Sequence, residues 1–256
     1  MTVAEVRNSS RDQPRVRRFG SRRAMGEAAA ADIAAELRAR LGRQAGVRMI
    51  FAAAPSQSDA LEALVAAPGI DWHRVTAFHM DEYIGLPPRS PARFANWLEA
   101  RVFSRLPFAA VHLIRPEPDA RAVAAAYAAA LAEAPIDIVC LGIGVNGHIA
   151  FNDPPVADFN DPLDVKLVDL DEVCRQQQVD DEGFTRLADV PLQAVTLTVP
   201  RLLRAERLYC VVPGAAKRQA VRLALEGPIA ESCPASILRT HQACTLYLDR
   251  ESDPHA

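Results

Sequence analysis

Short apolar runs alternate with longer helix-forming ones through most of this chain, and that alternation limits what it can fold into. VRMIFAAA, RVTAFHM, VHLIRP, IDIVCLGIG, TLTV, LYCVV and TLYLD read as strands. Between them lie segments such as AMGEAAAADIAAELRARL, SDALEALVAA and RAVAAAYAAALAEA, whose apolar residues recur at helical spacing. IDIVCLGIG is continuous and apolar, as a strand covered on both faces should be. Repeated strand–helix units imply a mostly parallel central sheet with helices on either side. The expectation is a single-domain α/β fold, a modified Rossmann-like three-layer sandwich. With 256 residues, 50% of them hydrophobic, the chain can bury one sizeable core.

Several function classes drop out early. The 29 basic and 32 acidic residues give a net charge of −3, so no electrostatic case exists for nucleic-acid binding. No apolar run approaches the roughly 20 residues that a membrane helix needs. The N-terminus lacks the apolar core of a secretory signal, which points to the cytoplasm. Five cysteines are scattered with no C-x-x-C pair, so buried free thiols are expected rather than a zinc site. Residues 1–22 are polar and arginine-rich without periodicity, and read as a flexible tail before a domain spanning 23–256. Residues 152–190 are acidic and punctuated by proline, and predict long loops with one short helix.

Ligands of open parallel sheets bind beyond the carboxyl ends of the strands. Those ends fall after Ala54, Met80, Gly144 and Val212, and each carries a polar or glycine-rich cluster. Adjacent Asp81 and Glu82 follow one strand; a half-dry carboxylate there could act as a base toward a carbon-bound proton, or the pair could cap a turn and meet a surface cation. Gly142-Ile143-Gly144-Val145-Asn146-Gly147-His148 holds three glycines that permit close approach of a ligand. It is not a dinucleotide G-x-G-x-x-G, and His148 offers either an acid–base group or a hydrogen-bonded loop residue. Lys217, one of only two lysines, falls in the first turn of a helix. A cation there is locally unfavourable unless an anion such as phosphate sits beside it. Ser56, Gln57 and Ser58 form a second potential anion cradle, with Ser58 as the N-cap of the following helix.

These clusters, in this order, resemble the glucosamine-6-phosphate deaminase (isomerase) family, which shares its fold with 6-phosphogluconolactonases. The resemblance rests on FHMDEYIGLP, IDIVCLGIGVNGHIAFNDPP, AVTLTVPRLL and VVPGAAKRQAVRLALEG and spans residues 24–250. It implies conversion of glucosamine 6-phosphate and water into fructose 6-phosphate and ammonia, with no cofactor and no metal. Asp81 matches the base that shuttles a proton between C2 and C1, and His148 the histidine that assists ring opening. Asn146 and Asp153 match the partners of that histidine, and Lys217 the phosphate-binding lysine. Ser56, Gln57, Ser58, Glu82 and Gly147 complete the expected substrate-binding set. The implied partner is a small phosphosugar, and a homo-oligomer is compatible with the resemblance.

The sequence also departs from the family pattern. Asn146 stands where many members carry Asp, and the shorter Asp153 where Glu is usual. Ala53-Ala54-Pro55-Ser56-Gln57-Ser58 replaces a Thr-Gly-Gly-Thr type loop, and the arginine expected after the histidine motif is missing. Arg175, with Gln176 to Gln178, is the candidate stand-in. The alternatives to a deaminase are a non-catalytic sugar-phosphate sensor and a lactonase-like hydrolase.

Overall fold

The computed structural model describes residues 14–256. The chain opens with β1 (Arg15–Arg18) and α1 (Arg22–Leu41), followed by β2 (Val47–Phe51), α2 (Ser58–Val65), β3 (Val75–His79) and β4 (Asp81–Tyr83). Next come α3 (Phe94–Leu98), which runs on as a π-helical turn over Glu99–Phe103, then β5 (Ala110–His112), α4 (Ala120–Ala132) and β6 (Ile138–Leu141). β7 (Val165–Asp169), α5 (Glu172–Asp180), β8 (Gln193–Leu197), α6 (Val199–Leu203), β9 (Arg207–Val212), α7 (Arg218–Glu226) and β10 (Cys244–Leu248) complete the chain.

Seven strands form one sheet in the order β1-β10-β9-β6-β2-β3-β5, and every neighbouring pair is parallel. β4, β8 and β7 form a separate antiparallel sheet. The large sheet separates two apolar clusters. Met25, Ile33 and Leu37 of α1 and Leu61 and Leu64 of α2 pack with Met49 and Phe51 on one side. Tyr127 and Leu131 of α4, Leu202 of α6 and Val221 of α7 pack with Ile50 and Leu141 on the other. Successive residues of β2 thus serve opposite layers, as the two-residue period of a strand dictates. The expected single-domain three-layer α/β sandwich is what the chain forms.

Local chemistry explains the element boundaries. Ser21 Oγ accepts from Ala24 N at 3.2 Å and caps α1. Gly26 lets α1 and α2 approach closely, because a Cβ there would lie 2.7 Å from Asp59 Cβ. The α2 start differs from expectation: Pro55–Gln57 form a 3-10 turn, so Ser58 is the first residue of the helix and makes no side-chain cap.

Two further expectations need correction. Arg15–Arg18, assigned to a flexible tail, pair in register with Thr245–Leu248 at the sheet edge, and α1 begins at Arg22. The remaining tail residues, 1–13, lie outside the described residues. Within 152–190 the short helix exists as α5, but Val165–Asp169 is a strand rather than loop. Only Val165 and Val168 are buried, three residues apart, so the segment lacks the two-residue alternation that would have marked it as a strand. All five cysteines are free and buried, Cys140 and Cys210 within β6 and β9. Among the described residues no helix is long and apolar enough to cross a membrane.

Candidate active site

β2, β3, β6 and β9 deliver their carboxyl ends to one cavity, beside the point where the chain reverses direction across the sheet between β2 and β6. Its walls include Ser56, Gln57, Asp81, Gly142, Gly144, His148, Gln177, Gln178, Asp181 and Lys217. Four sequence clusters that lie far apart in the chain therefore meet, as expected.

Asp81 opens β4 at the exit of β3 and is buried. Burial, then Glu82 and Asp153 nearby, push its carboxyl well above the ordinary carboxylate range. No hydrogen bond from the described residues offsets these effects.

His148 follows β6 through the glycine loop. Its Nδ1 lies 2.8 Å from Asp153 Oδ1, which leaves Nε2 as the ring nitrogen available to a ligand. Gly144 is indispensable to this placement, because a Cβ at that position would fall 2.2 Å from the imidazole. Burial alone would raise the Asp153 carboxyl, but His148, Asn146 and Cys174 beside it hold it below its ordinary value. Asn146 Nδ2 donates to Asp153 Oδ1 at 2.8 Å, and Asn146 Oδ1 accepts from the His148 backbone N–H at 3.1 Å. Asn146 therefore orients the histidine through the loop backbone and the carboxylate. His148, Asp153 and Cys174 bring one ligand-type atom each within 4.8 Å of one another and are the group best suited to hold a metal ion among the described residues.

Lys217 closes the 3-10 turn Ala215–Lys217 and precedes α7. Lys217 is buried at a relative exposure of 6%, and its ammonium makes no hydrogen bond or ion pair with the described residues. Burial lowers its pKa, with Asp181 the chief opposing influence. A buried, unpaired cation facing a cavity is costly unless an anion joins it. Gln57, also buried, spends its amide on Val211 O at 3.0 Å and Ser56 Oγ at 3.3 Å.

Four expected site residues are placed elsewhere. Glu82 Oε1 accepts from Tyr83 N and Phe94 N, and Oε2 from Ala95 N, at 2.9, 3.1 and 2.9 Å. It pins the start of α3, where the helix dipole favours an anion, and does not line the cavity. Ser58 faces a shallow groove with Asp59, Glu62 and Arg101. Gly147, at φ 86°, packs against Cys233, whose Sγ would lie 2.7 Å from an added Cβ, and does not line the cavity. Arg175 donates to Leu187 O and Val190 O at 2.7 and 3.1 Å, so it supplies no guanidinium to the cavity. His79, in the same motif as Asp81, is fully buried; its Nε2 accepts from Ile114 N at 2.7 Å, and burial lowers its pKa to about 3.

Sequence reasoning named Gln176 to Gln178 only in company with Arg175 and missed Cys174 and Asp181 at the two ends of α5. Gln177 Oε1 accepts from Val145 N at 2.8 Å, Tyr83 Oη donates to Gln178 Oε1 at 2.7 Å, and Gln177 Nε2 donates to Asp181 Oδ2 at 3.2 Å. Cys174, Gln177, Gln178 and Asp181 share one helix face at spacings of three, four and seven, which was the available signal.

Comparison with known proteins shows the family and the fold. Residues 20–160 match the family model described as glucosamine-6-phosphate isomerases/6-phosphogluconolactonase. The chain belongs to that family. Among its relatives, a protein named glucosamine-6-phosphate deaminase from Listeria monocytogenes (serotype 4a) is 33% identical over 207 residues, 80% of this chain and 86% of that protein. Another of that name from Bacillus cereus is 34% identical over 184 residues, 72% of this chain and 68% of its own. The structure of a monomeric glucosamine-6-phosphate deaminase superposes with a TM-score of 0.85 at 26% identity, covering 93% of this chain and 98% of that one. The 6-phosphogluconolactonase of Thermotoga maritima shares the fold at a TM-score of 0.76 and 17% identity, covering 93% and 100%.

Proposed function

We propose that this family member converts glucosamine 6-phosphate and water into fructose 6-phosphate and ammonia. The observation that carries the reading is one cavity holding three groups: Asp81 with its raised pKa, the His148–Asp153 pair and the unpaired Lys217. The relatives named as deaminases support it.

Lys217 anchors the phosphate together with the hydroxyl of Ser56, which Gln57 Nε2 holds from behind at 3.3 Å. His148 Nε2 takes the proton of the O1 hydroxyl and returns one to O5, which opens the ring. Asp153 is a positioning residue that holds the imidazole and stabilises its protonated form. Asp81 then removes the C2 proton and delivers it to C1 while the substrate ammonium gives up a proton and O1 gains one, leaving a C1 hydroxyl and an iminium at C2. Water adds to that carbon, and ammonia leaves from the resulting carbinolamine. The substrate ammonium beside Asp81 draws its pKa down and restores the anion that the step needs. The substrate is a small soluble phosphosugar, and the reaction belongs in the cytoplasm.

Purified protein incubated with glucosamine 6-phosphate should release ammonia and fructose 6-phosphate in equal amounts. Release of neither product would remove this reading.

A further inference from the structure

The end of the cavity that holds Lys217 also holds a carboxylate. Asp181 lines the same walls, and its Oδ2 is fixed by Gln177 Nε2 at 3.2 Å. No arginine lines this cavity. The full-charge groups there are thus one ammonium and one carboxylate, besides Asp81 and His148 at the reaction centre. Asp181 sits at the carboxyl end of α5, next to Asp180 and Glu182, where the helix dipole disfavours negative charge. Local helix stability therefore gives no reason for an acid at this position. Lys217 offers a reason, since Asp181 is the largest influence sustaining its charge against burial.

We infer that Asp181 is a specificity-determining residue: it offsets part of the charge attraction that Lys217 offers, so the cavity prefers a doubly charged anchoring group over a singly charged one less strongly than Lys217 alone would. The inference rests on the reading of Lys217 as the anion anchor. A phosphate monoester near neutral pH is largely a dianion, and a sulfate ester of the same shape is a monoanion. A lone buried ammonium binds the dianion far more strongly. A carboxylate in the same cavity repels a dianion about twice as strongly as a monoanion, because Coulomb energy scales with the product of charges. The amides of Gln177 and Gln178 can bond either ester, and so do not discriminate.

The test is calorimetric binding of glucosamine 6-phosphate and glucosamine 6-sulfate to wild type, Asp181→Asn and Asp181→Glu, with Asp81→Asn as the common background so that turnover does not intrude. Asp181→Asn should raise the phosphate-to-sulfate affinity ratio about tenfold, and Asp181→Glu should leave it near the wild-type value. An unchanged ratio in Asp181→Asn overturns the proposal. Equal weakening of both sugars also overturns it, and assigns Asp181 to the sugar's amino group or hydroxyls. Because the readout is binding, a protein that discriminates the two esters but releases no ammonia would keep this inference and remove the deaminase reading. Failure of both sugars to bind would remove both.

Discussion

His148 Nδ1 lies 2.8 Å from Asp153 Oδ1, and Asp153 is itself held by Asn146 Nδ2 at the same distance. The carboxylate fixes which ring nitrogen meets the substrate and stabilises the ring once protonated. Asp153→Asn keeps the shape but offers the imidazole an uncharged partner. We expect kcat to fall by about 10²- to 10⁴-fold with KM changed little. A purely structural role would instead lower stability and leave the activity of the folded fraction intact, so kcat per active site and denaturant midpoint should be measured together.

Asp81 works as a base only when ionised, and its folded pKa lies well above the ordinary carboxylate value. The kcat/KM profile, which reports the free enzyme, should therefore fall as pH drops, with an acid limb centred well above pH ~4. An activity that stays flat down to about pH 4 would show that no raised carboxyl governs the reaction.

Lys217→Met removes a buried charge with no protein partner. The variant should unfold at higher denaturant concentration than wild type, because an unpaired buried cation is costly. The same change should raise KM for the phosphosugar by about 10- to 100-fold, the range for losing a hydrogen bond to a charged group. The opposed directions of the two readouts separate a ligand anchor from a structural lysine.

Much of the fold was legible because burial on two faces leaves a plain trace: IVCL, which follows Asp137, and LYCVV are apolar without interruption, and both are interior strands of the large sheet. β1 left no such trace, since its four residues RVRR pair only with β10 at the edge and their side chains are exposed or half-buried. In the site, Asp81, His148 and Lys217 stood out because each follows a recognisable strand, and Asp153 through the family resemblance of its motif. Glu82 was misplaced because sequence adjacency to Asp81 does not say which face of β4 a side chain takes. In an extended strand neighbours point to opposite sides, so one carboxylate enters the cavity and the other reaches α3. Asp181 went unnoticed, and Gln177 and Gln178 were named only beside Arg175, because their helix is short and polar on both faces.

Glu82→Gln tests that division of labour. Replacing Oε2 by an amide sets a donor against the Ala95 N–H, now 2.9 Å away. Loss of about 1–3 kcal/mol in denaturant unfolding is expected, the cost of a buried unmatched donor. KM for the phosphosugar should stay within about threefold of wild type, because the side chain does not line the cavity. A large rise in KM at unchanged stability would return Glu82 to the substrate.

The most direct test of the proposed reaction is simultaneous assay of ammonia and fructose 6-phosphate from glucosamine 6-phosphate, with wild type and Asp81→Asn side by side. We expect equal amounts of both products from wild type and a loss of at least about 10²-fold in the variant, the low end of general-base contributions. Equal turnover by the two proteins, or one product without the other, would contradict proton transfer by Asp81 in a deaminating isomerisation.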